Sequence, residues 1–213
     1  MNESRERVLQ RLRKNRPTPS VSPPVYHKPL HWNREQRIAA FTERMQAVRG
    51  EVHRVSRNDW LDWLVRELPQ RGLKRVLVGT GSTGKAIAAK PMPDLKIICY
   101  DRPVDEWKSV LFDEVDVAVT EAQAGLAESG SLVLWPDTQE PRLMSLVPPV
   151  HIALLETDRL FENFAELIDK EHWTAGLPSN ALLISGPSKT ADIEQTLAYG
   201  IHGPKQLLTL LLE

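Results

Sequence analysis

The feature that most constrains the fold is an alternation. From residue 75 onward, short apolar runs with strand character recur between helical segments and turn residues. Residues 75–78, Arg-Val-Leu-Val, read as a buried strand, and 84–89 as a short helix stopped by Pro91 and Pro93. Strands are expected at 95–100, 115–119, 131–135, 150–155 and 181–184. Residues 160–168 are amphipathic, 190–199 read as a helix, and 206–212 as a closing apolar strand. A crossover helix returns the chain to the same end of a sheet, so strands joined this way pair in parallel and bury both faces. The predicted class is therefore α/β: a largely parallel sheet with helices on both faces.

Upstream, Asn33 and Gln36 have the spacing of a capping box. Ile38, Phe41, Met45 and Val48 follow with helical period, and Gly50 ends the run. Residues 51–55 alternate like a strand. Asn58 or Asp59 then caps a helix that carries Trp60, Leu61, Leu64 and Leu68 inward and ends at Pro69. The compact domain is expected over 32–213. Before it, residues 16–31 hold Pro17, Pro19, Pro23, Pro24 and Pro29 and read as an extended linker. Residues 1–15 read as a charged helix with Val8, Leu9 and Leu12 on one side. The first sixteen residues hold six cations, Arg5, Arg7, Arg11, Arg13, Lys14 and Arg16, against only Glu3 and Glu6, which suits a solvated helix face or a weak anion-binding arm.

Composition removes several function classes. A net charge of −1 gives no general attraction to nucleic acid or anionic membrane. The six tryptophans lack interleaved basic residues, so they are expected as core or interface anchors rather than a base-stacking platform. No apolar run approaches the ~18 residues of a membrane span, and the N-terminus lacks the apolar core of a signal peptide. A cytoplasmic protein is expected. The single cysteine, Cys99, lies in an apolar run and reads as a small buried hydrophobe. One cysteine holds neither an internal disulfide nor an iron–sulfur cluster, and no metal-ligand spacing is present; no cofactor is expected.

Three constellations carry candidate chemistry. The first is Gly79-Thr80-Gly81-Ser82-Thr83-Gly84-Lys85, between a strand and a helix. Its glycines allow close backbone approach, and the free N–H groups with the Ser82 and Thr83 hydroxyls suit a phosphate or carboxylate. A P-loop needs Ser or Thr after the lysine; Ala86 stands there instead. An anion cradle at Gly79, Gly81, Ser82, Thr83 and Gly84, and a ligand-free tight turn, both remain open. The second constellation is 125–132, where Glu128 precedes a turn and a strand. A carboxylate there serves as a general base, as a nucleophile on a thioester, or as a cap on a loop. The third is 185–194, Ser-Gly-Pro-Ser-Lys-Thr-Ala-Asp-Ile-Glu, followed by 200–204, Gly-Ile-His-Gly-Pro. Ser188 or Thr190 would cap the 190–199 helix, with Asp192 and Glu194 in its first turn. The alternative is a ligand clamp at the carboxyl ends of the strands, made by Gly186, Ser188, Lys189, Thr190 and His202. Arg142 is a candidate bidentate partner for a small carboxylate, or a surface residue. His151, after Pro148-Pro149, is either a satisfied strand-start histidine or a ligand contact.

The first loop resembles the Gly-Thr-Gly-Ser-Thr loop of ribose-5-phosphate isomerases, whose fold group includes glucosamine-6-phosphate deaminases and coenzyme A transferases. Residues 128–130 resemble the Glu-X-Gly motif of family I coenzyme A transferases. The third constellation resembles the C-terminal signature of the LutC/YkgG family of LUD-domain proteins, the lactate utilization protein C family. Residues 125–132 and 142–152, the latter Arg-Leu-Met-Ser-Leu-Val-Pro-Pro-Val-His-Ile, are similar to two further segments of that family. The resemblance implies a NagB/RpiA/CoA transferase-like fold and a non-redox role in oxidation of L-lactate to pyruvate. It implies iron–sulfur partners of the LutA and LutB type, which would carry the redox centres. A stand-alone enzyme or binding protein for a phosphorylated or coenzyme A-linked molecule is the alternative, motivated by the glycine loop and Glu128. An interaction module built on the basic helix and proline-rich linker is the third reading.

Overall fold

The computed structural model describes residues 2–15, 30–173, 176, 178–191 and 197–213. Its elements in chain order are α1 (Asn2–Lys14), α2 (Arg34–Ala47), β1 (Glu51–Val55), α3 (Trp60–Gln70), β2 (Arg75–Val78) and α4 (Ser82–Ala89). Then come β3 (Lys96–Cys99), β4 (Val117–Glu121), β5 (Ala124–Leu126), β6 (Ser131–Leu134), α5 (Leu143–Leu146) and β7 (Val150–Glu156). The remainder is β8 (Leu160–Phe161), α6 (Phe164–Lys170), β9 (Leu182–Ile184), β10 (Lys189–Ala191), β11 (Leu197–Tyr199) and β12 (Gln206–Leu212).

The central sheet is six-stranded in the order β1-β12-β7-β4-β2-β3, and every adjacent pair is parallel. The chain's last strand, β12, thus lies inside the sheet rather than at an edge, which explains why it is apolar but for Gln206 and the buried Thr209. Successive residues of the inner strands face opposite layers. Val117, Val119, Ile152, Leu154, Leu208 and Leu210 pack on one face with Trp63, Leu64 and Leu68 of α3 and Ile87 of α4. On the opposite face, Ala153, Leu155, Leu207 and Leu211 meet Ile38, Phe41 and Met45 of α2. Further along that face, Leu77 and Ala118 meet Trp107 and Leu111 of the 104–114 segment and Met144 of α5. The fold is α/β, with a largely parallel sheet covered on both sides. The capping box at Asn33 forms as the spacing requires, with both reciprocal hydrogen bonds present.

Two segments depart from expectation. Residues 131–135 and 181–184 do not join the parallel sheet. They lie in a second sheet, β8-β5-β6-β9, in which β5–β6 and β6–β9 are antiparallel. For 131–135 the reason is loop length. Only 127–130 separate β5 from β6, and Gly130 turns the chain at φ 63°. A hairpin closes over so short a loop, whereas a parallel return needs a dozen residues. This sheet packs through Ala127 and Leu132 onto α2 and the central sheet. Its outer side meets Leu167 of α6 and Trp173.

The second departure is the helix expected over 190–199. The structure has β10 and β11 there, antiparallel, with Lys189 opposite Tyr199 and Thr190 opposite Ala198. Local propensity is overridden by ties to the next turn: Ser188 N–H donates to Pro204 O at 2.9 Å, and Gly200 N–H donates to Ser188 O at 3.0 Å. Gly200 holds φ 75°, which only glycine adopts without strain. Neither Ser188 nor Thr190 caps a helix. Asp192 and Glu194 lie outside the described residues, as do residues 16–29 of the expected linker. Among the described residues, no helix is long and apolar enough to cross a membrane.

Candidate functional site

Strand β2 hands the chain to α4 on one face of the central sheet, while its neighbour β4 hands it to the second sheet on the other face. Neighbouring strands that exit to opposite faces leave a crevice at their carboxyl ends, where open α/β sheets place ligands. The glycine loop occupies one side of that crevice. A side chain at Gly84 would collide with Gly79 O, and one at Gly79 with Gln139 O. Thr80 N–H donates to Gln139 O at 2.9 Å. These glycines are therefore required by close backbone packing. The hydroxyls expected to hold an anion have another partner: Ser82 and Thr83 both donate to Oε1 of Glu121, the last residue of β4.

The opposite wall is the loop that leaves β6. Pro136 and Pro141 bracket Asp-Thr-Gln-Glu at 137–140. Asp137 Oδ1 accepts the N–H groups of Gln139 (2.7 Å) and Glu140 (2.8 Å), which fixes the turn. Glu140 Oε2 in turn accepts the N–H of Glu121 at 2.9 Å. Burial pushes the Glu140 carboxyl up to about 7, and the charges of Glu121 and Asp137 add to the rise against the N–H bond. Between the walls is an open cleft of about 180 Å³, bordered also by Gln123 and Trp135. A second space of about 200 Å³, bounded by Trp60, Thr83, Glu156 and Leu212, shares Glu121 and Ala122 with it. Outward, a wide depression of about 730 Å³ runs past Trp135 to Arg142.

Beneath the cleft, Thr120 and Ser145 border a pocket of about 10 Å³, room for roughly one water. Thr120 Oγ1 lies 2.8 Å from Nε2 of His151, which is fully buried. Burial lowers the imidazole to about 4, so it is neutral at ordinary pH. His151 is thus a core residue. Cys99 is half-buried on β3, its thiol pushed up by burial, with Sγ 3.8 Å from Gly79 O.

The candidate residues read from the sequence fall in three places. Gly79, Gly81, Ser82, Thr83 and Gly84 form the cleft's loop, and exposed Arg142 borders the outer depression. Glu128 is exposed at the far end of the β5–β6 hairpin from Gln123 and Trp135, roughly four strand residues or 13 Å away. Its N–H donates to Glu162 O, and its carbonyl accepts from Arg44. Gly186, Ser188, Lys189, Thr190 and His202 gather at the amino ends of β7 and β12, the opposite end of the sheet from the glycine loop. A clamp at the carboxyl ends is therefore not formed by this group. Gly186 holds φ 137° against Val48, and Gly203 packs on Ser188. Lys189 and His202 are exposed. What the motif reading passed over is the acidic wall: Glu121, Asp137 and Glu140. The available signal was a polar tetrapeptide between two prolines directly after a strand, and an acid directly after another.

Comparison with known proteins agrees with this architecture. The profile of the LUD domain matches residues 38–212. An uncharacterised protein of Neisseria meningitidis serogroup B is 36% identical over 98% of this chain and 93% of its own length. Lactate utilization protein C of Bacillus licheniformis is 25% identical over 97% of this chain and 93% of its own. YkgG of Escherichia coli is 36% identical over 47% of this chain and 46% of its own. A crystal structure of a DUF162 family protein from Deinococcus radiodurans superposes with a TM-score of 0.61 at 19% identity, covering 85% of this chain and 99% of that one; this supports the fold. With most of the chain matched by the profile and a 36% identical relative aligned nearly end to end, the protein belongs to the LUD domain family.

Proposed function

We propose that this chain is a non-redox component of L-lactate utilisation, the oxidation of L-lactate to pyruvate, acting beside iron–sulfur partner subunits. The observation that carries the reading is the near end-to-end similarity to a lactate utilization protein C. Oxidation of L-lactate removes two electrons and two protons, so the pathway needs an electron acceptor. An iron–sulfur cluster takes up electrons singly and is held by several thiolates. This chain has Cys99 alone, half-buried beside Gly79. Clusters of the pathway would accordingly sit on partners of the LutA and LutB type. The stand-alone alternative draws less support, because Glu128 and the glycine loop lie apart and the loop hydroxyls bond Glu121.

The test is affinity purification of the tagged chain from cells grown on L-lactate. Iron–sulfur proteins that co-purify in stoichiometric amount, with L-lactate oxidation by the assembly, are the expected result. A chain that elutes alone from such cells contradicts it.

A further inference from the structure

The two edges of the central sheet are built differently. β1 carries Glu51, His53 and Arg54, and its charges are engaged: Glu51 pairs with Arg71, and Arg54 with Glu35 and Glu213. Charged side chains along an edge discourage pairing with another chain. β3, at the other edge, reads Lys-Ile-Ile-Cys, and Ile97, Ile98 and Cys99 are each half-buried. Among the described residues, no strand lies beyond it.

The free groups of this edge follow from the bonds to β2. Lys96 N–H donates to Lys74 O at 2.7 Å, and Tyr100 N–H donates to Val78 O at 2.9 Å. Residues 96, 98 and 100 thus turn their backbone groups toward β2. Alternate residues of a strand bond to opposite sides, so the N–H and C=O of Ile97 and Cys99 point away from the sheet.

We propose that β3 pairs with β3 of a second copy of this chain, antiparallel about a twofold axis at Ile98, so that two six-stranded sheets become one continuous sheet. In this register Ile97 of one copy faces Cys99 of the other, and each such pair exchanges both of its N–H···O bonds through the outward groups. Ile98, which packs against Leu77 and Leu111 on its own chain, meets the same residue of the second copy as a β-branched cross-strand pair. Continued outward, the register brings exposed Asp94 toward exposed Arg102 of the second copy. Charge selects it from the neighbouring registers that also match outward groups. An axis one residue later opposes Lys96 to Arg102, two like charges, and an axis one residue earlier leaves Asp94 facing Tyr100.

A ladder this short buries little area, so association is reversible and depends on concentration. Sedimentation equilibrium of the full purified chain from about 1 to 500 µM tests it, and a dissociation constant on the order of 10–100 µM is expected. Ile97→Pro removes an outward N–H and leaves the bonds to β2 in place, so the folded variant should associate at least about tenfold more weakly. Asp94→Arg should weaken association about tenfold, and adding Arg102→Asp should restore it, since the charges are then exchanged across the same register. These exposed changes decide the matter where the proline variant fails to fold. A chain monomeric over the whole range overturns the proposal. So does a dimer unchanged in folded Ile97→Pro, or a charge exchange that brings no recovery. The measurement needs no iron–sulfur protein, so it stands or falls apart from the part in L-lactate utilisation.

Discussion

Glu140 Oε2 accepts the backbone N–H of Glu121 at 2.9 Å, so one acid of the cleft positions the strand end that carries the other. The bond is kept at the cost of burying a carboxyl. Its acidity moves from the usual 4.5 to about 7. The folded state therefore holds a proton that the unfolded chain loses between these values, and stability falls as pH rises through that window. The loss is on the order of 3 kcal/mol above pH 7. Glu140→Gln should retain the acceptor and remove the loss, raising stability at pH 8 while leaving it nearly unchanged at pH 4. Urea unfolding at the two pH values checks this, and equal effects at both would contradict the burial of Glu140.

His151 gives the opposite slope. Its imidazole is lowered from 6.5 to about 4, so the unfolded chain takes up a proton first as pH falls. The neutral form's stability is fully present above 6.5 and lost progressively toward 4, again on the order of 3 kcal/mol. Between about 4.5 and 6.5 the two slopes oppose each other. His151→Gln should expose the Glu140 slope, and Glu140→Gln the His151 slope. Unfolding free energy measured across that window in both variants is the check; parallel pH curves would contradict the assignment.

Thr120→Val removes the hydroxyl 2.8 Å from His151 Nε2. His151 Nδ1 and Thr209 Oγ1 already lack partners among the described residues. Losing the remaining bond leaves a fully buried ring unsatisfied and should cost about 1–3 kcal/mol. Chemical denaturation measures it, and a change within error would mean that water reaches the ring.

The central sheet was legible because both-face burial writes an apolar run for every inner strand, as in 206–212, and because glycine and proline mark the turns. The second sheet was not, because a three-residue strand such as Ala124–Leu126 is too short to show a period. The 190–199 segment misled for a different reason. Acids placed soon after a Ser-Lys-Thr turn imitate a helix start, and the long-range bonds from Ser188 to Pro204 and Gly200 that decide the outcome leave no local pattern. At the cleft, the glycine loop was visible as a motif. Its partner Glu121 was not, since it lies 38 residues from Thr83 and is brought there by strand order.

The hairpin also yields a direct prediction. Backbone chemical shifts of Lys189, Thr190, Ala198 and Tyr199 should have the sign of extended structure, with cross-strand contacts between Thr190 and Ala198. Helical shifts over these residues would overturn the β10–β11 assignment. Gly200→Ala, forced to φ 75° against Lys205, should broaden or shift the same signals.

In the glycine loop, Gly84→Ala places a methyl group against Gly79 O, which is backbone and has no room to yield. A loss of about 3 kcal/mol or more is expected, comparable with other severe overpacking changes. Thermal unfolding reads it, and a variant as stable as the parent would mean that the β2–α4 turn is looser than described.

The central claim, a part in L-lactate utilisation, is tested most directly by growth. A strain that lacks this chain, and any other route of L-lactate oxidation, is compared on L-lactate and on pyruvate as sole carbon source, with and without the chain restored. The account predicts no growth on L-lactate, normal growth on pyruvate, and rescue on L-lactate by the restored chain. Equal growth on L-lactate with and without the chain would contradict it.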